Sequence, residues 1–374
     1  MARHAYGEYG EPIGAFCLIG SPCRPCRKSS TRMPTAPELH DLPPKWARLC
    51  LDVEGFLQTE LGLELQGKKL VVGVSGGVDS TALLLVVRAM RSRWQVEPMA
   101  VHLNHRLRPE ADTEAAGVER LCRNLGVPCY AGSSRVDIFA SRRGLGIEEA
   151  GRQLRYRLLF GLRRRQGAAY VLTAHQLNDL AEDCIMRQLR GAGWPALGGM
   201  TAYESMTGLL RPLLLTPKAT LAELVSGLGY SWSEDSSNQE LNRLRNRVRW
   251  SILPLYLQEN PGFLESVARM WRQAELDRDF WASTLSRLSA GEEATEGSLL
   301  LRNAWLAAEH KAVRLRWYRD VLSRLGQGQA LAETLHRLDA AWLTKVRGKT
   351  LQFPGGKRAR VEQSGIRFFP AGAS

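Results

Sequence analysis

The chain has 374 residues, 44% hydrophobic and 24% charged, which excludes a wholly disordered polypeptide and favours two domains. Lysines and arginines number 51 against 38 acidic residues, an excess of +13 that points to a polyanionic partner. No apolar run reaches the ~18 residues of a membrane span, the N-terminus lacks the basic-then-apolar pattern of a secretory leader, and seven cysteines do not suit a disulfide scaffold; a soluble protein of a reducing compartment, with no membrane partner, is expected.

Residues 1–45 carry Gly, Pro and Ser without a sustained period and close on Pro34, Pro37, Pro43 and Pro44, as a mobile extension would. Cys23 and Cys26 stand in a Cys-x-x-Cys spacing there. No second such pair follows, because Cys122 and Cys129 are seven apart, so coincidence is a simpler reading than a metal or redox site. From Lys68 strand and helix patterns alternate. Strands are expected at 70–74, 96–103, 127–131 and 169–174, and helices at 81–91, 110–125, 147–164 and 177–189. This alternation predicts an α/β fold with a mostly parallel, doubly wound sheet, whose ligands bind beyond the carboxyl ends of the strands.

After Leu257 the strand signal stops. Residues 262–288 and 304–325 read as amphipathic helices, with Trp271, Trp281, Trp305 and Trp317 as core positions rather than base-stacking ones. Residues 350–369 alternate around Pro354-Gly355-Gly356 and Ser364-Gly365, as short antiparallel strands do. The expected organisation is an extension over 1–45, a catalytic domain over 46–258, and a helical region over 259–374 that contacts the polyanion and ends in strands.

Ser75-Gly76-Gly77-Val78-Asp79-Ser80 links the first strand to its helix. Paired glycines let a phosphate approach the backbone, the helix N-terminus adds positive potential, and Ser75 and Ser80 add hydroxyls. Asp79 is repulsive beside phosphates unless a cation lies between, which implies Mg²⁺. The plainer alternative is a serine–glycine turn with Asp79 or Ser80 capping the helix. No Lys follows the glycines, so this is not the loop of kinases and GTPases.

The loop resembles that of the PP-loop, or N-type, ATP pyrophosphatases. Further motifs follow in order. Asn104-His105-Arg106-Leu107-Arg108 comes first, then Gly146-Ile147-Glu148-Glu149-Ala150-Gly151-Arg152 leading into Arg155-Tyr156. Next are Thr173-Ala174-His175, Asn178-Asp179-Leu180-Ala181-Glu182, Leu189-Arg190-Gly191 and Arg211-Pro212-Leu213. Glu234-Asp235-x-Ser237-Asn238, Arg245-Asn246-Arg247-Val248-Arg249 and Leu253-Pro254 complete the series. Over residues 68–255 it resembles the tRNA(Ile)-lysidine synthase family, and Pro354-Gly355-Gly356-Lys357 resembles that family's C-terminal region more weakly.

The resemblance implies a cytoplasmic ligase forming a carbon–nitrogen bond. The C2 carbonyl of the wobble cytidine of an isoleucine tRNA with a CAU anticodon attacks the α-phosphate of ATP and releases pyrophosphate. The amine of free L-lysine then displaces AMP to leave lysidine, with Mg²⁺ neutralising charge. Carried onto this chain, the loop Ser75, Gly76, Gly77, Val78, Asp79 and Ser80 binds ATP, and Asp79 holds the metal. Asp79, His175 and Arg247 are catalytic, while Asp179 and Glu182 hold the lysine. Association as a homodimer is left open.

Each assignment has a plainer alternative: His175 as a satisfied structural histidine, and Asp179 and Glu182 as a solvated face or partners of Arg187 and Arg190. Residues 151–175 hold six arginines and no acid, and Arg243, Arg245, Arg247 and Arg249 form a second acid-free run. From these runs Arg163, Arg164, Arg165 and Arg245 are expected to contact tRNA phosphates, although arginines ending a helix also complement its dipole. Four positions depart from the family pattern: Asn178 replaces Asp, Leu180 replaces Gln, Asp183 replaces Thr, and Gly151 replaces Ala at a cost of about 1 kcal/mol in helix propensity. Rival readings are a tRNA thiolation enzyme using the same adenylation, an inert tRNA-binding relative, and an amide-forming ligase; Val78 stands where the thiolation enzymes often carry Lys.

Overall fold

The computed structural model describes residues 36–106, 111–233, 243–295 and 297–372. Cys23, Cys26, Leu107, Arg108, the 234–238 motif and most of the 1–45 segment lie outside them. Two compact units are present, dividing between Ala274 and Glu275. Among the described residues no helix is long and apolar enough to cross a membrane.

The first unit runs in order through α1 (Pro44–Gly55), β1 (Lys69–Gly73), α2 (Val78–Ala89), β2 (Glu97–Asn104), α3 (Ala111–Asn124), β3 (Cys129–Ser133), α4 (Val136–Arg143), α5 (Ile147–Gln166), β4 (Tyr170–Leu172), α6 (Leu177–Leu189), β5 (Tyr203–Glu204), β6 (Leu209–Leu210) and α7 (Lys218–Gly227). The sheet order is β3-β2-β1-β4-β6-β5. All adjacent pairs are parallel except the β5–β6 hairpin. Leu70, Val71 and Val72 are wholly buried, as expected of a strand covered on both faces. The unbroken apolar stretch of α2, Ala82–Val87, is equally buried in the same core.

The chain leaves β1 for β2 and β3 on one side, then returns to β4 on the other. Such a reversal opens a crevice at the carboxyl edge between β1 and β4. Folding begins earlier than the expected end of the extension. The Glu38 carboxylate accepts bonds from Arg88 Nη1 at 2.6 Å and Ser92 Oγ at 2.9 Å, which fastens residues 36–43 to this unit.

The division between units falls within α8 (Phe263–Ser289). The second unit continues with β7 (Glu292–Thr295), β8 (Ser298–Arg302), α9 (Asn303–Ala308), α10 (Lys311–Arg324), α11 (Ala332–Leu343), β9 (Thr350–Phe353), β10 (Lys357–Val361) and β11 (Gly365–Phe369). Its helices accompany an antiparallel sheet of order β7-β8-β11-β10-β9. The single helix expected over 304–325 is instead two, because His310 breaks it and caps α10, Nδ1 accepting the Ala312 N–H at 3.2 Å.

Trp271 lies in the first unit's core and Trp317 in the second's, whereas Trp305 is 40% exposed and Trp281 lies under the Arg316 guanidinium. In the Pro-Gly-Gly-Lys segment, Lys357 is wholly buried. Its Nζ donates to the carbonyls of Leu322, Gly326 and Gly328, so the residue closes the C-terminal end of α10.

Candidate active site

The loops that follow β1 and β4 meet at the crevice. In the first, Gly76 has φ +94°, a conformation that favours glycine. The Ser80 hydroxyl receives the N–H groups of Ser75 (3.1 Å) and Gly76 (3.2 Å) and donates to the Gly77 carbonyl (3.0 Å). Ser80 therefore holds the turn in shape. Gly77 caps α2 without a side chain, so no side chain blocks the first-turn N–H groups from an anion. A Cβ on Gly77 would meet nothing nearer than Ser75 Oγ at 3.6 Å; packing does not demand glycine there, but a closely approaching phosphate would.

Asp79 follows in the first turn of α2. Its Oδ1 is buried and has no hydrogen-bond partner. Burial, then the charge of Asp179, pushes its pKa up to about 6, against the opposing pull of Lys218 and Arg249. An orphaned carboxylate oxygen beside a phosphate cradle fits Mg²⁺, whose other oxygens would come from phosphates and water. Among the described residues no group of three or more His, Cys, Asp or Glu could hold a metal.

β4 delivers His175. Thr173 Oγ1 lies 3.0 Å from its Nδ1. Burial, followed by the charges of Arg211, Arg245, Arg155 and Arg152, holds its pKa well below the usual histidine range. The imidazole is thus neutral and lies in a basin of positive charge. Arg211 is itself tied to Glu204 at 2.8 Å and to the Thr201 carbonyl at 2.7 Å.

Gln176 starts α6, its side chain accepting the Asn178 N–H at 2.6 Å while Asp179 Oδ2 accepts the Gln176 N–H at 3.3 Å. Asp179 and Glu182, one turn apart, are 8% and 1% exposed. Two guanidinium groups close on them from the helical run over 244–259. Arg245 donates from Nε to Glu182 Oε2 at 2.9 Å and from Nη2 to Asp179 Oδ1 at 2.8 Å. Arg249 donates from Nε to Glu182 Oε1 at 2.6 Å, and from Nη2 to Glu182 Oε2 at 3.0 Å and Asp179 Oδ1 at 3.2 Å. Burial opposes the charge on both arginines, but the two carboxylates hold their pKa values above the ordinary one.

The expected residues of the 75–80 loop, His175, Asp179 and Glu182 therefore come together at one sheet edge. Arg247 does not join the carboxylates: it is exposed, whereas Arg245 and Arg249 share the inward face. Arg245, expected on tRNA phosphates, is turned onto the acids. Arg163, Arg164 and Arg165 end α5 at the opposite edge, where Arg163 Nε donates to the Ala169 carbonyl at 3.1 Å just ahead of β4. Lys218 was not singled out in the sequence, and Arg211 and Arg249 stood in motifs without a role at the site; the i,i+4 spacing of Arg245 and Arg249 was the available signal for the latter.

The departures lie away from the carboxylate pair or have a packing reason. Asn178 Oδ1 accepts the Lys218 N–H, Leu180 is wholly buried in the core, and Gly151 makes room for His105, whose Cε1 would lie 3.2 Å from a Cβ there.

Residues 53–256 match a family described as the PP-loop domain. The tRNA(Ile)-lysidine synthase of Nitratidesulfovibrio vulgaris is 42% identical over 333 residues, covering 84% of this chain and 96% of its own. That of a Methylobacterium species is 36% identical over 290 residues, covering 76% and 82%. Among solved structures, the U34-tRNA thiolase NcsA from Methanococcus maripaludis aligns with 61% of this chain and 79% of its own, at TM-score 0.47 and 17% identity.

Proposed function

The chain belongs to the tRNA(Ile)-lysidine synthase family, built on a PP-loop domain, and from that premise we propose that it joins lysine to C2 of the wobble cytidine of an isoleucine tRNA with a CAU anticodon, through an adenylated tRNA. The observation that carries this reading is the buried Asp179–Glu182 pair beside a nucleotide loop whose Asp79 Oδ1 lacks a hydrogen-bond partner. A carboxylate pair in that place suits a substrate with two amines, one reacting and one held as an ammonium.

In this reading the loop over 75–80 and the first turn of α2 receive the ATP phosphates. Mg²⁺, when bound at Asp79, supplies positive charge that stabilises the departing pyrophosphate. Arg152 and Arg155 draw the polyanionic substrate towards His175. With Nδ1–H of the neutral His175 donating to Thr173 Oγ1, Nε2 is the nitrogen that can take the proton lost by the attacking amine. Bond formation from the amine to C2 expels AMP, and excluding water from the crevice protects the adenylate.

We assign the first unit, residues 36–274, to this chemistry and the second, from Glu275, to holding the tRNA, with residues 1–35 needed for neither. The cytoplasm is the setting for such a reaction, and the described cysteines Cys50, Cys122, Cys129 and Cys184 are free thiols. Incubation with ATP, Mg²⁺, labelled lysine and the CAU isoleucine tRNA tests the proposal. Label entering RNA together with AMP release is expected. AMP release that needs sulfur in place of lysine, or none at all, would exclude it.

A further inference from the structure

The carboxylates proposed to hold lysine are already occupied. Five guanidinium–carboxylate hydrogen bonds from Arg245 and Arg249 reach Asp179 and Glu182, and the remaining oxygen, Asp179 Oδ2, accepts the Gln176 N–H. Two negative charges face two positive ones. A lysine ammonium added to this arrangement would meet a neutralised pair and gain little until one guanidinium leaves.

The two arginines are not equivalent. The charge of Arg245 acts on His175, while that of Arg249 acts on Asp79 at the nucleotide loop. Arg249 also sits in a π-helical turn, Val248–Ile252, within an otherwise α-helical run. Such a turn holds one residue more than an α-turn, and its conversion to α swings the side chains it carries around the axis. Arg249 thus combines bonds to both carboxylates with a charge felt at the nucleotide loop, on a turn whose geometry admits a second arrangement.

We propose that Arg249 is a specificity-determining residue that stands in for the lysine ammonium in the free enzyme and moves to the nucleotide phosphates when ATP binds, so that nucleotide opens the lysine site. This rests on the lysine-ligating reading given above and adds an order to it. Lysine is kept from the carboxylates until ATP is in place, and a compact cation lacking lysine's other contacts cannot displace a bidentate guanidinium. The thermodynamic consequence is reciprocal coupling between the ATP and lysine sites.

The test is calorimetric titration of lysine into the full chain, with and without Mg²⁺ and α,β-methylene ATP. In the wild type the analogue should tighten lysine binding by about fivefold or more, within the usual range of such couplings. Arg249→Met should bind lysine about as tightly without nucleotide as the wild type does with it, with the coupling reduced to less than about twofold. Arg249→Lys, which keeps a cation in place, should retain part of the coupling. A purely structural role predicts weaker lysine binding in Arg249→Met and no loss of coupling, and that result would overturn the proposal. Lysine affinity in the wild type that is indifferent to the analogue would overturn it as well, whether or not Arg249→Met folds. Should the wild type bind nucleotide but never lysine, and incorporate none into tRNA, the functional reading itself falls and the inference with it.

Discussion

The side-chain oxygen of Asn178 accepts the backbone N–H of Lys218 at 3.0 Å, so this residue of α6 closes the first turn of α7, forty positions later. Its side chain thus serves a helix end, away from the carboxylate pair one position further on. Asp in its place would accept the same bond and add a negative charge at the positive end of a helix. Asn178→Asp is expected to raise stability by about 0.3–1 kcal/mol and to leave lysine affinity within about twofold. Asn178→Ala should cost about 1 kcal/mol. Chemical denaturation and lysine titration of both variants check this.

Asp79 predicts opposite outcomes for stability and for turnover. Its folded pKa of about 6 lies above its ordinary 3.8, so between those values the folded state holds the extra proton and stability falls as pH rises through the window. Removing the charge with Asp79→Asn should stabilise the metal-free protein by about 2–3 kcal/mol at pH 7 and by almost nothing near pH 4. The same change should lower AMP formation by about a hundredfold, because the metal loses its anionic ligand. Thermal melts from pH 4 to pH 8 without Mg²⁺, beside pyrophosphate release with it, separate the two effects.

Neutralising either acid of the pair should impair lysine use far more than ATP use. A lost charge-assisted bond of about 1.5–3 kcal/mol corresponds to about 10- to 150-fold in lysine affinity. Glu182→Gln should be the more destabilising variant. Glu182 accepts three of the five arginine bonds and, being almost wholly buried, would leave guanidinium charge uncompensated. Equal losses in the apparent constants for lysine and ATP would place the pair on the nucleotide instead.

Gly151 and His105 form a packed pair. A Cβ at 151 would lie 3.2 Å from Cε1 and 3.3 Å from Nδ1 of His105, so the imidazole must give way. Gly151→Ala should recover less than the ~1 kcal/mol of helix propensity expected for an open site. Combined with His105→Ala, the same substitution should recover all of it. A double-mutant cycle measured by urea unfolding would show this coupling, and strict additivity would refute the contact.

Arg164 and Arg165 are exposed at the end of α5, at the sheet edge opposite the nucleotide loop. Changing both to Ala should raise the KM for tRNA and flatten its dependence on salt by about one to two released counterions. The constants for ATP and lysine should not move, because neither ligand reaches that edge. A steady-state salt series provides the measurement. An unchanged tRNA constant would leave these arginines as complements of the helix dipole.

The alternation of strand and helix, the phosphate loop, the position of His175 at a strand end and the one-turn spacing of Asp179 and Glu182 were all legible in the sequence. Each is written in residues close together along the chain, where periodicity and glycine placement act directly on the backbone. The β5–β6 strands, of two residues each, have no period to read, and the polar β7 carries no strand signal. What packing alone decided is which cation meets which acid. Arg245 lies 63 residues from Glu182 in sequence, and Arg249 rather than Arg247 faces inward because helical geometry puts every fourth residue on one side. Packing likewise set the roles of Asn178 and Leu180, one capping a distant helix and the other filling the core. A side chain's partners depend on what the fold brings against it, and no local pattern in the chain records that.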